Sequence, residues 1–389
     1  MESILKGENE MNIKSFVRLL NAFILIVFSS STLSAQKPPW KGTIAKAGDV
    51  VVVRNPKEPL YNKHILTLKE DYAIGGPQAK GEYVIALPTS LAVDEKGYLF
   101  VLDFKESGIK VFDETGTYVR TIGRLGQGPG EIGAAWSISL SQGSSELALY
   151  DIRNRKLTFF SLEGKFLRSI PLRGMIAGIK TDSQGNAYVS ATEFGPGQSM
   201  DTLKKMSADM SRVLAEISSR PEDDSHNPFA PREYWVVDAR DRLIFGEGKT
   251  YEIRYYDPAG KLIRKVLRAG GLLKVTQKDI DEFADRKTPA GINPVYNYSS
   301  HHGAYRSFFV DDLGRLFVQT WERTPDNRQD IHDIFDAEGR FIGRVPLNRH
   351  SDIINPKVRL IQSGKYYAIE PDAEGYEVVK RYSIVWNLN

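Results

Sequence analysis

The chain has 389 residues, of which 41% are hydrophobic, 26% are charged and none is cysteine. This composition is typical of a folded, turn-rich globule, and the lack of cysteine excludes disulfides, thiolate catalysis and zinc–thiolate sites. The net charge of +3 is too small to build the positive field that attracts a polyanion. We therefore expect no nucleic acid partner.

The N-terminal segment has the order of a secretory signal peptide. Lys14 and Arg18 precede the apolar run 19–28, which is followed by the small and polar residues SSSTLSAQ. We predict cleavage after Ala35, and because the first ten residues are polar and acidic, Met11 is an alternative true start. An uncleaved anchor is disfavoured because the apolar span is shorter than the roughly 20 residues that cross a bilayer. We expect a secreted or periplasmic protein, with a signal peptide over 1–35 and no transmembrane segment after its removal.

The rest of the chain repeats a pattern of four short β-strands. The first copy, 91–123, has the order strand, Asp-x-x-Gly turn, strand, loop, strand, Asp-x-x-Gly turn, strand. Five further copies follow, at 137–172, 179–217, 235–267, 307–347 and 358–386. Strands such as YLFVL and LTFF are apolar on both faces, so no sheet is stable alone. Radial stacking buries these faces. We predict an all-β fold, a six-bladed β-propeller with four-stranded antiparallel blades over 49–389, after a linker at 36–48.

Two local assignments have alternatives. The sixth copy offers three strands, and segment 64–76 resembles the fourth strand of the first copy, so we expect it to complete the last blade. The alternative is a separate N-terminal strand pair around DVVVVR, residues 49–54. Segment 202–217 has apolar residues at helical intervals, but its place in the third copy favours strands.

Gly128, Gly130 and Gly133 have the spacing G-x-G-x-x-G. A dinucleotide-binding loop needs a helix that opens on these glycines, and the sequence that follows is short and strand-like. Pro129 lies within the motif. Asp151 lies about 20 residues further along the chain, where a dinucleotide-binding domain has the acid that binds ribose, but it is better explained as a residue at a strand end. The glycines mark a link between blades.

The run IGRLGQGPGEI (122–132), the strand pair LAVDEKGYLFVLD (91–103) and the secretory leader together resemble the six-bladed β-propeller proteins common in Bacteroidetes, relatives of NHL-repeat propellers. The resemblance extends over about residues 45–386. It implies the propeller fold and an extracytoplasmic location. Some relatives are lactonases or lyases, but their metal-site patterns are not recognisable in this sequence.

The repeat pattern places every long insertion on one face. Turns between the first and second and the third and fourth strands of a copy are short, whereas insertions occupy the other connections, at 195–201, 218–234, 268–306 and 322–330. These connections share one face, and long loops in compact domains are usually functional or disordered. Within 268–306, Thr276 and Asp279 form a capping box, which predicts a short helix that covers this face.

Charged and aromatic residues lie in or beside these insertions. Two histidines are adjacent in one of them, and an extended segment directs neighbouring side chains to opposite sides, so at most one faces a given site. Residues that end strands suit a sugar or peptide ligand, by stacking and bidentate hydrogen bonds. For the histidines the alternative is a solvated loop, and for the residues at strand ends it is ion pairing between blades. The ligand-binding candidates are Asp103, Lys105, Arg153, Glu193, His301, His302, Arg306, Trp321, Glu322 and Arg323.

A metal site would require two or three histidine or carboxylate ligands to converge. The candidate ligands are Glu193, His226, His301 and His302. Alternatively, Asp103, Glu193 and Glu322 could bind calcium through oxygen ligands at the mouth of the central channel.

No G-x-S-x-G, H-E-x-x-H or EF-hand motif is present in the sequence. We therefore expect a monomeric, extracytoplasmic, non-enzymatic binding propeller without a cofactor, which recognises a peptide, glycan or protein partner on its loop-bearing face. The alternative is a hydrolase or lyase dependent on calcium or another divalent metal at the channel mouth. A purely structural module of a surface assembly is a third interpretation.

Overall fold

In a computed structural model, which describes residues 39–141, 143–222, 227–284, 297–349 and 359–388, the strands form six sheets arranged as the blades of a propeller. The predicted signal peptide lies outside the described residues. Three strands and a short 3-10 turn precede blade 1. They are β1 Thr43–Ala47, β2 Val50–Asn55, β3 Leu66–Gly75 and the turn Gly81–Tyr83.

Each blade begins with its inner strand and proceeds outward. Blade 1 contains β4 Pro88–Val93, β5 Leu99–Asp103, β6 Gly108–Phe112 and β7 Tyr118–Ile122. Blade 2 contains β8 Ala135–Ser139, β9 Glu146–Asp151, β10 Lys156–Ser161 and β11 Phe166–Pro171. Blade 3 contains β12 Met175–Thr181, β13 Ala187–Phe194, β14 Ser199–Met206 and β15 Val213–Pro221. Segment 202–217 therefore forms parts of two strands joined by a turn at 207–212, in agreement with the predicted strands.

The remaining blades follow the same order. Blade 4 contains β16 Tyr234–Val237, β17 Leu243–Gly246, β18 Glu252–Tyr256 and β19 Leu262–Arg268. A helix, α1 Gln277–Ala284, lies between blades 4 and 5 along the chain. Blade 5 contains β20 Ser307–Val310, β21 Leu316–Arg323, β22 Gln329–Phe335 and β23 Phe341–Asn348. Blade 6 contains β24 Arg359–Gln362, β25 Lys365–Pro371, β26 Glu377–Trp386 and, as its outer strand, β3.

The chain closes the ring through β3, which pairs antiparallel with β26 from Leu66 opposite Trp386 to Gly75 opposite Val378. This confirms the prediction for segment 64–76. The N-terminal strand pair, weighed as the alternative, is present as well. Strand β2 pairs parallel with β19, so β1 and β2 extend the outer edge of blade 4 to a six-stranded sheet. Strand β1 lies inside the segment predicted as a linker.

The tight turns explain why short strands reverse so regularly. The Asp94 carboxylate accepts hydrogen bonds from the backbone N–H groups of Lys96 and Tyr98, and Gly97 has φ of +86°, in the region that favours glycine. Asp182, Asp238 and Asp311 hold the corresponding turns of blades 3, 4 and 5 in the same way.

The core lies between neighbouring blades. Strand β5 is buried throughout: Phe100 and Leu102 pack in a cluster with residues of blade 2, and Leu99 and Val101 pack in another with residues of blade 6. Each fully buried side chain of this kind contributes about 1.5–3 kcal/mol. A blade therefore depends on both neighbours, which makes the closed ring the stable unit.

Antiparallel connectivity separates the connections onto two faces. Turns such as 94–98, 182–186 and 257–261 lie on one face, which we call the tight-turn face. Connections between second and third strands and between blades lie on the other, the loop-bearing face. The described residues of the connections 195–198, 222–233, 269–306 and 324–328 belong to it.

Candidate functional site

A groove on the loop-bearing face runs between blades 2 and 3. Its volume is about 550 Å³. The walls come from the end of β9 with the turn that follows it, from the link into β12 and from the end of β13. The lining residues are Tyr150, Ile152, Arg155, Leu172, Gly174, Met175, Ile176 and Phe194. We call this feature the blade 2–3 groove.

Large apolar side chains of this groove are open to solvent. Phe194 is 70% exposed, Met175 is 55% exposed and Ile152 is 38% exposed. Scattered apolar residues are normal on a protein surface, but several that line one concavity are typical of an interaction site. Below them, Tyr150 donates a hydrogen bond to the carbonyl oxygen of Ile176 at 3.2 Å, which ties the wall of blade 2 to that of blade 3.

The turn that carries Ile152 is held in place by a buried aspartate. The Asp151 carboxylate accepts hydrogen bonds from the backbone N–H groups of Gly133, Ala134 and Asn154 at 2.7, 3.1 and 3.0 Å, and from the Asn154 side chain at 2.8 Å. Because these partners include the link from blade 1, this wall of the groove is fixed by backbone contacts.

A second region of the loop-bearing face lies under α1, against blade 5. The helix begins with the predicted capping box, in which the Thr276 hydroxyl donates to Asp279 at 2.7 Å and the Asp279 N–H donates to Thr276 at 3.2 Å. Asp279 also contacts His302 Nε2, at 3.2 Å. The His302 ring is buried, stacks on Trp321 with centroids 4.2 Å apart and meets Phe229 edge to face. We call this packed region the α1 pocket.

Charged groups complete the α1 pocket. Glu282 of the helix binds Arg323 at 2.5 Å and accepts a hydrogen bond from Asn327 at 3.2 Å. Beneath, Asp330 is buried and accepts a hydrogen bond from Gln319 at 2.7 Å. The Asp330 carboxylate also lies 3.6 Å from Arg306, 3.6 Å from Arg349 and 3.9 Å from Arg323. The helix thus adds the Glu282 carboxylate to a cluster of guanidinium groups.

Two pKa values reflect this packing. Burial lowers the pKa of His302, against the opposing effect of Asp279, so the imidazole is neutral near pH 7. Burial alone would raise the pKa of Glu282, but hydrogen bonding and charge from Arg323, with help from Arg349 and Asn327, hold it below its ordinary value.

A cavity of about 250 Å³ lies on the propeller axis. It is lined by the ends of the inner strands that lead into the tight turns, with Lys180 and Arg359 among the lining residues. Lys180 donates to the carbonyl oxygen of Ile138 at 3.2 Å, and burial lowers the pKa of its ammonium group. Arg359 contacts His332 Nε2 at 2.9 Å and the carbonyl oxygen of Asn348.

Comparison with known proteins agrees with this architecture. Residues 87–207 match a sequence family, DUF5128, described as a 6-bladed beta-propeller. The fold is a six-bladed β-propeller. No functionally curated protein matches the chain in sequence at a significant level.

Two solved structures are similar over nearly their whole length. One is a candidate exported protein from Bacteroides fragilis, with a TM-score of 0.55 and 12% identity, covering 86% of this chain and 99% of that chain. The other is a DUF4221 family member from Bacteroides vulgatus, with a TM-score of 0.52 and 13% identity, covering 83% of this chain and 99% of that chain. At such identities the likeness shows the fold alone, and the relation to NHL-repeat propellers stays a prediction. In the described part of the chain, no helix has the length and apolarity needed to cross a bilayer.

The structure distributes the predicted site residues over several blades. Asp103 is fully buried and accepts backbone hydrogen bonds from Ala86, Leu87 and Lys105, the role that Asp151 has in blade 2. The side chains of Lys105 and Arg153 are exposed. Arg153 lies in the turn that forms one wall of the blade 2–3 groove.

The remaining predicted residues fall into two groups, apart from His301. Glu193 and Glu322 are paired within their own blades, with Lys204 at 2.6 Å and with Arg344 at 2.7 Å. The other group comes together in the α1 pocket: His302, Arg306, Trp321 and Arg323. His301 instead is exposed, with Ser300 Oγ 3.0 Å from its Nδ1. The two adjacent histidines thus face different surroundings.

The metal candidates do not form a ligand set within the described ranges, which contain no group of three or more histidine, aspartate or glutamate residues placed to hold an ion. His226 lies outside the described residues. Glu193, His301 and His302 each contact other partners, as described above.

Sequence reasoning missed Met175, Phe194, Arg155 and Arg173. Apolar residues at strand ends are expected in the core, so their sequence pattern carries no sign of exposure. One signal was available: Phe194 immediately precedes the loop GPGQ, at a strand end where blades 1 and 2 have aspartate and blade 5 has arginine.

Proposed function

We propose that this protein is an extracytoplasmic, non-enzymatic binding propeller that recognises a peptide or protein partner on its loop-bearing face, with the blade 2–3 groove as the contact point. The observation that carries the proposal is the exposure of Phe194, Met175 and Ile152 around one concavity. The signal-peptide pattern and the likeness to a candidate exported propeller support the location.

The lining of the groove favours a peptide over a glycan. Sugars present many hydroxyl groups, which lose free energy when they are buried without hydrogen-bond partners. The groove offers mainly apolar side chains, and the Tyr150 hydroxyl already donates within the protein. Apolar peptide side chains would bury the exposed Phe194 ring at a gain of about 25 cal/mol per Å² of apolar surface.

The test uses the purified full chain as bait for a displayed library of random peptides and for a glycan array. Enriched peptides should bind the double variant Phe194→Ser/Met175→Ser at least about tenfold more weakly, because two anchors are lost. The matched control is Leu313→Ser, since Leu313 is 61% exposed on the tight-turn face. It should bind as the wild type does. Failure to enrich any peptide, or enriched peptides that bind the double variant normally, would refute the proposal.

A further inference from the structure

Arginines beside the blade 2–3 groove differ from most others on the loop-bearing face. Arg220 pairs with Asp201 and Glu233, Arg344 with Glu322, and Arg323 with Glu282. In contrast, the arginines at positions 153, 155 and 173 are exposed, and none has a carboxylate partner within the described ranges. All three lie in the two connections that form the blade 2 side of the groove.

The nearby acidic groups are already engaged by other partners. Asp151 is buried, and its carboxylate is occupied by backbone and Asn154 hydrogen bonds. Glu193, next to Phe194, binds Lys204 at 2.6 Å. Arg155 and Asp151 act on the groove with opposite signs: burial raises the pKa of Tyr150, Arg155 opposes that rise and Asp151 adds to it. The three exposed guanidinium groups outnumber this one buried carboxylate. The rim is therefore cationic beside an apolar floor.

Each guanidinium group can donate two parallel hydrogen bonds to one carboxylate. An apolar floor combined with a cationic rim matches a peptide that alternates apolar and acidic side chains. Such a segment would place aromatic or aliphatic residues against Phe194 and Met175 and carboxylates at the arginines. A basic or neutral segment would leave the arginines without partners.

Resting on the function proposed above, we infer that the occupant of the blade 2–3 groove is an acidic peptide segment of a partner protein, in which glutamate or aspartate residues flank apolar anchors. Arg153 and Arg173 bind the carboxylates of the peptide, and Phe194 and Met175 contact its apolar side chains. The charge of Arg155 adds to the positive potential at the groove.

The experiment compares charge reversal on the two faces. The double variant Arg153→Glu/Arg173→Glu changes the groove rim and leaves Arg155 untouched, because that residue has φ of +51° and supports the turn. The matched control Arg212→Glu/Arg240→Glu makes the same charge change in exposed turns of the tight-turn face. Peptides selected on the wild type should be rich in glutamate, aspartate and apolar residues.

Binding of those peptides should weaken about tenfold or more in the rim variant and remain unchanged in the control. Their affinity for the wild type should also fall as salt rises from about 0.1 M to 1 M, since the screening length shrinks from about 10 Å to 3 Å. Selection of neutral or basic peptides that still depend on Phe194 would overturn the acidic specificity and leave the proposed function intact. Selection of glycans instead of peptides would overturn both.

Discussion

The blade 2–3 groove and the α1 pocket occupy equivalent places on the propeller but differ in what fills them. Phe194 ends the second strand of blade 3 and Arg323 ends the second strand of blade 5. Phe194 is 70% exposed, whereas Arg323 is held by Glu282 of the helix. Between blades 4 and 5 an insertion supplies the partners of the strand ends. Between blades 2 and 3 the link is short, and both the apolar and the cationic groups are exposed.

The preceding glutamates show that the scaffold itself is shared. Glu193 and Glu322 each pair with a basic residue of the same blade, Lys204 and Arg344. The difference between the two regions therefore comes from the connections and not from the blades. One repeated sheet can thus provide structure in one place and, as we propose, recognition in another.

The strongest test of this contrast is to truncate one aromatic residue in each region. Trp321→Ala removes the stack on His302 and the contact with Phe229, and we expect the free energy of unfolding to fall by about 3 kcal/mol. Phe194→Ala should change it by less than about 0.5 kcal/mol, because the ring is largely in solvent. Urea denaturation of both variants measures the two values. Equal losses would mean that the groove is a structural feature.

The next largest effect concerns the wall of the groove. Asp151→Ala would leave several buried N–H groups without their acceptor, so we expect a loss of about 2 kcal/mol in the free energy of unfolding. The neighbouring exposed residue provides the control, since Arg153→Ala breaks no ion pair in the described structure and should leave stability unchanged. If Asp151→Ala is as stable as the wild type, the turn is fixed by other contacts.

The sequence allows the fold to be predicted because its signals are local and repeated. Aspartate and glycine fix several of the tight turns, such as 94–98, and segment 64–76 carries the apolar alternation that completes blade 6. The sequence does not determine which blade pairs with the segment DVVVVR, because any free outer edge can accept a β-strand. In the structure, this segment pairs with the outer edge of blade 4.

The site is less accessible to sequence reasoning, because its chemistry depends on distant partners. Asp103 has the pattern of a ligand at a strand end, yet its carboxylate is occupied by the N–H groups of Ala86 and Leu87 from the preceding link. Met175 and Phe194 look like core residues, yet both side chains are exposed in the described structure. Placement of the insertions follows from strand order, whereas what each insertion covers depends on three-dimensional packing.

A smaller effect is expected from the ion pair that closes the α1 pocket. Glu282→Gln should reduce the free energy of unfolding by about 1 kcal/mol at pH 7, because the pair with Arg323 is only partly shielded from solvent. Since the pKa of Glu282 is held below its ordinary value of 4.5, its stabilisation is complete above that pH and is lost as pH falls through the lower, folded-state value. Denaturation at neutral and acidic pH should show the difference between wild type and variant shrinking with acidification. A constant difference would contradict the role of the charge.

The smallest expected effect distinguishes the two adjacent histidines. Burial lowers the pKa of His302, so the unfolded chain binds a proton more readily than the folded protein does, and stability should decline as pH falls below about 6.5. His302→Gln should remove this part of the pH dependence, while His301→Gln should leave it unchanged, because His301 is exposed. Proton NMR titration of the imidazole signals, with urea midpoints at each pH, measures both properties. If the pKa of His302 is not lowered, then the α1 pocket opens to solvent, and the contrast with the blade 2–3 groove reflects dynamics more than composition.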